Sequence, residues 1–155
     1  MKVPYHKQFP SSEYAPVFPG QPLHVPLLTI AIRYKQKKHK LLALVDSGAD
    51  ACLFPRDVAE VLGINLRSGP CASLTGIGGN RVPFYFHEVE ILFSQYHIRT
   101  LAGFAKEGIG AAGLLGQKGF FDQFIVSFDN KSNYFEVKEP GLLSRLKTTL
   151  HIGNN

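Results

Sequence analysis

The chain has 155 residues, 45% of them hydrophobic and 19% charged, with a formal net charge of +5. That length suits one domain with a real core, and the balance of apolar and charged residues excludes a disordered chain. No run approaches the roughly 18 consecutive apolar residues of a membrane span. The opening Met1-Lys2-Val3-Pro4-Tyr5 holds no apolar signal segment, and two cysteines, Cys52 and Cys71, make no disulfide framework. The expectation is a soluble, cytoplasmic protein with reduced thiols.

Residues 1–22 hold five of the ten prolines, with Tyr5, Phe9, Tyr14 and Phe18 among them. A regular helix cannot form there, so the segment reads as an extended, proline-rich N-terminal arm lying across the domain or a partner subunit. Leu27–Ile32 reads as a strand that enters the basic run Arg33-Tyr34-Lys35-Gln36-Lys37-Lys38-His39-Lys40, and Leu41–Val45 returns from it. These cations do not alternate with exposed aromatics. The run therefore reads as a solvated hairpin tip, which argues against a nucleic-acid partner. Farther on, Leu53-Phe54-Pro55 opens a short helix with an apolar face of Val58, Ala59, Val61 and Leu62, ended by Gly63.

A glycine-rich turn spans Leu74–Val82, and strands are predicted at 85–93 and 97–105. In the first of these, His87, Val89, Ile91 and Phe93 take one face, while Glu88 and Glu90 share the other, solvated one. Ala111–Gly116 leads to a short apolar helix around Phe120–Phe124. A final hairpin pairs Ile125–Asp129 with Tyr134–Lys138, and the tail is polar. The domain is placed at 23–140, between the arm (1–22) and a C-terminal tail (141–155). Many short strands with one or two short helices predict a mostly-β, partly closed sheet, and no internal repeat suggests two fused lobes.

The chemistry concentrates in Leu44-Val45-Asp46-Ser47-Gly48-Ala49-Asp50. An apolar strand delivers Asp46 to its end, where the carboxylate is partly shielded. Gly48 supplies a side-chain-free turn whose N–H can approach that carboxylate. Two further elements follow in order: Gly76-Ile77-Gly78-Gly79, suited to a mobile hairpin tip, and Leu114-Leu115-Gly116, a turn before the short helix. This trio resembles the retropepsin-like, single-domain aspartic proteases, in the form of stand-alone microbial members, over roughly residues 25–138.

The resemblance implies an acid-protease half-barrel with its active site at a twofold dimer interface. Asp46 would be catalytic, paired with its mate from a second subunit. Ser47 would bond across the dimer axis, and Gly48 would direct its amide at the carboxylate. Ala49 adds no hydroxyl to stabilise the ionised pair, which implies a mildly acidic optimum. Asp50 would receive substrate backbone amides and brace the subunit contact. Gly76, Ile77, Gly78 and Gly79 would form a flap over an extended peptide, and Leu114, Leu115 and Gly116 would support the loop. The pattern departs at Gln117 and Lys118, where viral members have an Arg that pairs with the acid corresponding to Asp50. The implied function is endopeptidase action by a homodimer on a peptide or protein substrate, without a cofactor. The alternative is a catalytically weak or inactive dimer that binds extended peptides.

Other chemistries have less support. The six histidines are scattered without metal-ligand spacing, so no metal is expected. No Gly-x-Ser-x-Gly elbow exists, and Thr75–Asn80 lacks the spacing and Lys of a phosphate loop. Cys52, just past the acidic loop, reads as a small buried apolar residue.

Overall fold

The computed structural model describes residues 1–9, 17, 19–75, 79–107 and 112–141. Strands dominate: β1 (Lys2–Pro4), β2 (His6–Gln8), β3 (Leu23–Val25), β4 (Leu27–Tyr34), β5 (Lys37–Val45) and β6 (Leu53–Phe54) come first. Helix α1 (Arg56–Leu62) and a 3-10 turn (Leu66–Ser68) follow. The chain then continues through β7 (Cys71–Thr75), β8 (Arg81–Phe93), β9 (Tyr96–Ala105), β10 (Gly113–Leu115), β11 (Ile125–Asp129) and β12 (Tyr134–Lys138).

The basic run is the tip of the β4–β5 hairpin, turning at Lys35 and Gln36, with Lys35 at a φ of 54°. β10 inserts between β5, to which it is parallel, and β6, to which it is antiparallel. β6 in turn lies parallel to β9, β9 pairs with the long β8, and β8 reaches β4 through Ile91 opposite Ile32. The ring β4-β5-β10-β6-β9-β8 closes on itself, so these strands leave no free edge. β7 adds to β8 at the end of the sheet, and the residues between them include Gly76, Ile77 and Gly78, which lie outside the described residues. β1 completes a separate sheet, β1-β12-β11, and β2 pairs with β3.

The period-2 pattern decides what the barrel buries. On β8, His87, Val89, Ile91 and Phe93 face inward, as the alternation predicts. Glu88 and Glu90 lie on the other face, paired with Arg99 and Arg33. Phe54, Phe104, Ile30, Ile32 and Leu115 fill the centre with no appreciable exposure. Each such side chain contributes about 1.5–3 kcal/mol by leaving water. A second, smaller cluster of Leu53, Phe84 and Ala105 lies apart from this core, with Leu74, Val82 and Leu114 packed on it.

Helix α1 follows Pro55 and ends at Gly63, whose φ of 69° lets its N–H and that of Ile64 close on Glu60 and Ala59. The expected helix at 120–124 is a correction: residues 119–123 form consecutive turns, after a β-bridge of Lys118 to Ala51. Gly119 takes a φ of 96°, so no helix runs through it, and beyond it the N–H groups of Gln123 and Phe124 close on Phe120 O in a single turn. Phe120 and Phe124 still pack inward, against Phe93.

Candidate active site

β5 ends at Val45, and the chain must then turn across the end of β10 to reach β6. Asp46 opens that turn, its N–H donating to Leu115 O at 3.0 Å. The N–H of Gly48 donates to Asp46 Oδ1 at 2.9 Å. A Cβ at Gly48 would stand 3.2 Å from the same oxygen, so a larger residue would crowd the carboxylate it serves. Asp46 is half-buried, whereas Ser47, Gly48 and Asp50 are exposed.

The carbonyls of this loop are satisfied by the segment after β10. Gln117 N–H donates to Ala49 O (2.8 Å), Lys118 N–H to Asp50 O (2.9 Å), and Cys52 N–H to Lys118 O (3.2 Å). Gln117 adds its side chain, with Nε2 donating to Ser47 O at 2.7 Å. Gly116 stands where the two segments cross. A Cβ there would lie 2.6 Å from Ala49 O and from the Ala51 carbonyl carbon, so no other residue fits without moving the loop. The Leu114-Leu115-Gly116 segment, the end of β10 and the residue after it, thus forms one hydrogen-bonded unit with the Asp46–Asp50 loop. The role of Gln117 within it was not legible from sequence, because its bond spans 70 positions.

A cleft of about 470 Å³ opens beside the loop. Asp46, Gly48, Ala49 and Asp50 line one side, and Leu53, Leu74, Val82, Phe84 and Leu114 give an apolar wall with Thr75 beside it. The residues flanking the glycine turn therefore share a cavity with the acidic loop. Ser47 is not in this lining. Its hydroxyl has no hydrogen-bond partner among the described residues. Gly79 is exposed at a φ of 80°, a conformation that favours glycine.

Cys52 sits directly behind the loop, fully buried, and burial pushes its thiol up to about 11. It is a packing residue with little thiolate at neutral pH. His87 is buried too, a ring nitrogen sharing a hydrogen bond with Leu66 O at 3.0 Å. Among the described residues no group of His, Cys, Asp and Glu is arranged to hold a metal ion. No helix among them is long and apolar enough to cross a membrane.

A closed small barrel carrying one Asp-Ser-Gly loop, locked onto a Leu-Leu-Gly turn, defines the half-barrel of an aspartic protease. A family model described as "Aspartyl protease" matches residues 31–118, more than half of the chain, and the chain belongs to that family. Among solved structures it is similar to EIAV protease complexed with the inhibitor HBY-793, at 24% identity and a TM-score of 0.47. That match covers 60% of this chain and 82% of the viral one. No curated protein matches the sequence.

Proposed function

We propose that the chain is an aspartic endopeptidase that works as a homodimer, with Asp46 of each subunit forming the catalytic pair. One observation carries this reading. Asp46 is held by Gly48 and Leu115 at the rim of an apolar cleft, on a loop whose next two residues are exposed and able to meet a second copy. A chain with one such loop completes a symmetric site only on a twofold axis.

Two carboxylates held about 3 Å apart cannot both ionise, so the pair holds one proton between them. The ionised carboxylate takes a proton from water as its oxygen attacks the scissile carbonyl carbon. The protonated carboxylate donates to the carbonyl oxygen, giving a neutral gem-diol. Collapse breaks the C–N bond as the protonated carboxyl gives its proton to the leaving nitrogen and the ionised one takes a proton from a gem-diol hydroxyl. A carboxylic acid and an amine depart, and the pair again holds one proton. The hydrogen bond from Gly48 N–H fixes the orientation of the Asp46 carboxylate. The exposed Ser47 hydroxyl, with no partner in its own chain among the described residues, is available to the mate's loop. The glycine turn at 76–79 closes over an extended peptide, which is held through its backbone and by the apolar wall. In this reading the peptidase domain runs over 23–140, flanked by the arm at 1–22 and the tail at 141–155.

The test is cleavage of a diverse peptide pool from pH 3 to 7, with wild type beside Asp46→Asn. The expected result is cutting by wild type with an optimum of roughly pH 5–6, and a loss of at least roughly a thousandfold in the variant. An optimum at or below about pH 3 would refute the role given to Ala49. Equal cutting by both proteins would remove Asp46 from the mechanism. Binding of peptides without cutting by a dimeric wild type would favour a peptide-binding module.

A further inference from the structure

We infer that Asp50 sets substrate charge specificity, its carboxylate selecting peptides that carry an organic cation, ammonium or guanidinium, beside the scissile bond. This deepens, and rests on, the peptidase reading. Asp50 is exposed and lines the same cleft as Asp46. Among the described residues its carboxylate has neither an ion pair nor a hydrogen bond. Neither Gln117 nor Lys118 bonds this carboxylate through its side chain. Gln117 spends its carboxamide on Ser47 O, and Lys118 gives Asp50 only a backbone N–H to its carbonyl.

The cleft as a whole has a definite sign. Among the described residues its lining contains two carboxylates, Asp46 and Asp50, and no cation. Arg81, across the β7–β8 pair from Thr75, is not part of it. On a chain of net charge +5 the cations concentrate instead on the β4–β5 hairpin. A concave, apolar-walled site lined by one sign of charge attracts the opposite sign. Once a peptide covers the cleft, Asp50 loses part of its water. A substrate cation restores a partner, whereas a substrate carboxylate placed there meets like-charge repulsion.

The cation can come from a Lys or Arg side chain or from a free peptide amino terminus. The test separates the two. Full-length Asp46→Asn protein, which binds without turning over, is titrated with peptides sharing one apolar core. In an N-acetylated set, one flanking position is scanned as Lys, Gln and Glu. A further peptide has a free amino terminus and no basic residue. The expected ratio of Kd values, Glu over Lys, is about tenfold at low salt and shrinks as salt is added. Adding Asp50→Asn should bring the ratio close to one, Asp50→Lys should invert it, and Asp50→Glu should retain it. Sedimentation of each variant checks that the dimer persists, and Asp50→Glu decides the matter if Asp50→Asn dissociates.

An undiminished ratio in Asp50→Asn, or no ratio in the parent, overturns the inference. A preference for the free amino terminus alone assigns the site to that group. In wild type the same ranking should appear in kcat/KM. Cleavage without charge preference would sink this inference and leave the peptidase standing. Asp50-dependent binding without any cleavage would do the reverse.

Discussion

Replacing Gly116 by alanine is the sharpest structural perturbation available without touching a carboxylate. The added methyl would lie 2.6 Å from Ala49 O, while side-chain carbons essentially never come within 3.0 Å of another heavy atom. Both close neighbours are backbone, so the loop must retreat by at least about 0.4 Å, the difference between those distances, and more at Ala51. The crowded Ala49 carbonyl accepts from Gln117 N–H at 2.8 Å, and the Asp50 carbonyl, between the two displaced residues, accepts from Lys118 N–H at 2.9 Å. Weakening two such bonds costs about 1–3 kcal/mol and overpacking adds a similar amount, so about 2–6 kcal/mol is expected in all. Asp46 rides on the same unit, and a displacement approaching 1 Å at a reacting group can cost about a hundredfold in rate. Urea denaturation followed by turnover at a concentration where the variant is folded would read both. A variant with wild-type midpoint and wild-type kcat would refute the view that the loop and the Leu-Leu-Gly turn are one rigid unit.

Other outcomes follow from the same geometry. Gln117→Ala should lower stability by only about 0.5–1.5 kcal/mol, because one exposed hydrogen bond is lost, yet reduce kcat more than KM; parallel midpoint and kinetic measurements check the split. Phe54→Ala should cost about 3–5 kcal/mol, since that ring is fully buried against Phe104, and denaturant titration reads it directly. Cys52 is raised in the fold from 9.0 to about 11, so the unfolded chain loses its thiol proton first. The resulting stability is fully present below pH 9 and is lost as pH rises towards 11; the alkaline fall in the urea midpoint should be smaller in Cys52→Ala. Glu90→Gln should shift the midpoint by less than about 1 kcal/mol, because both partners of its pair with Arg33 are more than a third exposed.

Strands β4, β5, β8 and β9, the Gly63 helix stop and the last hairpin were legible because each is encoded locally, by period-2 burial or by a turn residue. The acidic loop was legible for a related reason: the short run Leu44–Asp50 already contains the strand, the acid and the glycine. What stayed hidden depends on contacts between distant segments. The bond from Gln117 to Ser47, the insertion of β10 between β5 and β6, and the hydrogen bond between His87 and Leu66 O are all of this kind. The helix expected at 120–124 failed because apolar spacing outweighed Gly119, whose positive φ and bond to Asp122 fix a run of turns. Sequence also showed Gln117 only as the absence of a charge. The fold shows it holding the loop through a neutral bond and leaving Asp50 without a partner among the described residues.

The central claim, a site shared between two copies of Asp46, is tested most directly by mixing. Wild type and Asp46→Asn protein would be combined at fixed total concentration, dissociated, reassociated and assayed for peptide cleavage. A shared pair needs both carboxylates, so activity should fall as the square of the wild-type fraction. Activity that falls in simple proportion to that fraction would mean that each chain acts alone, and would contradict the account.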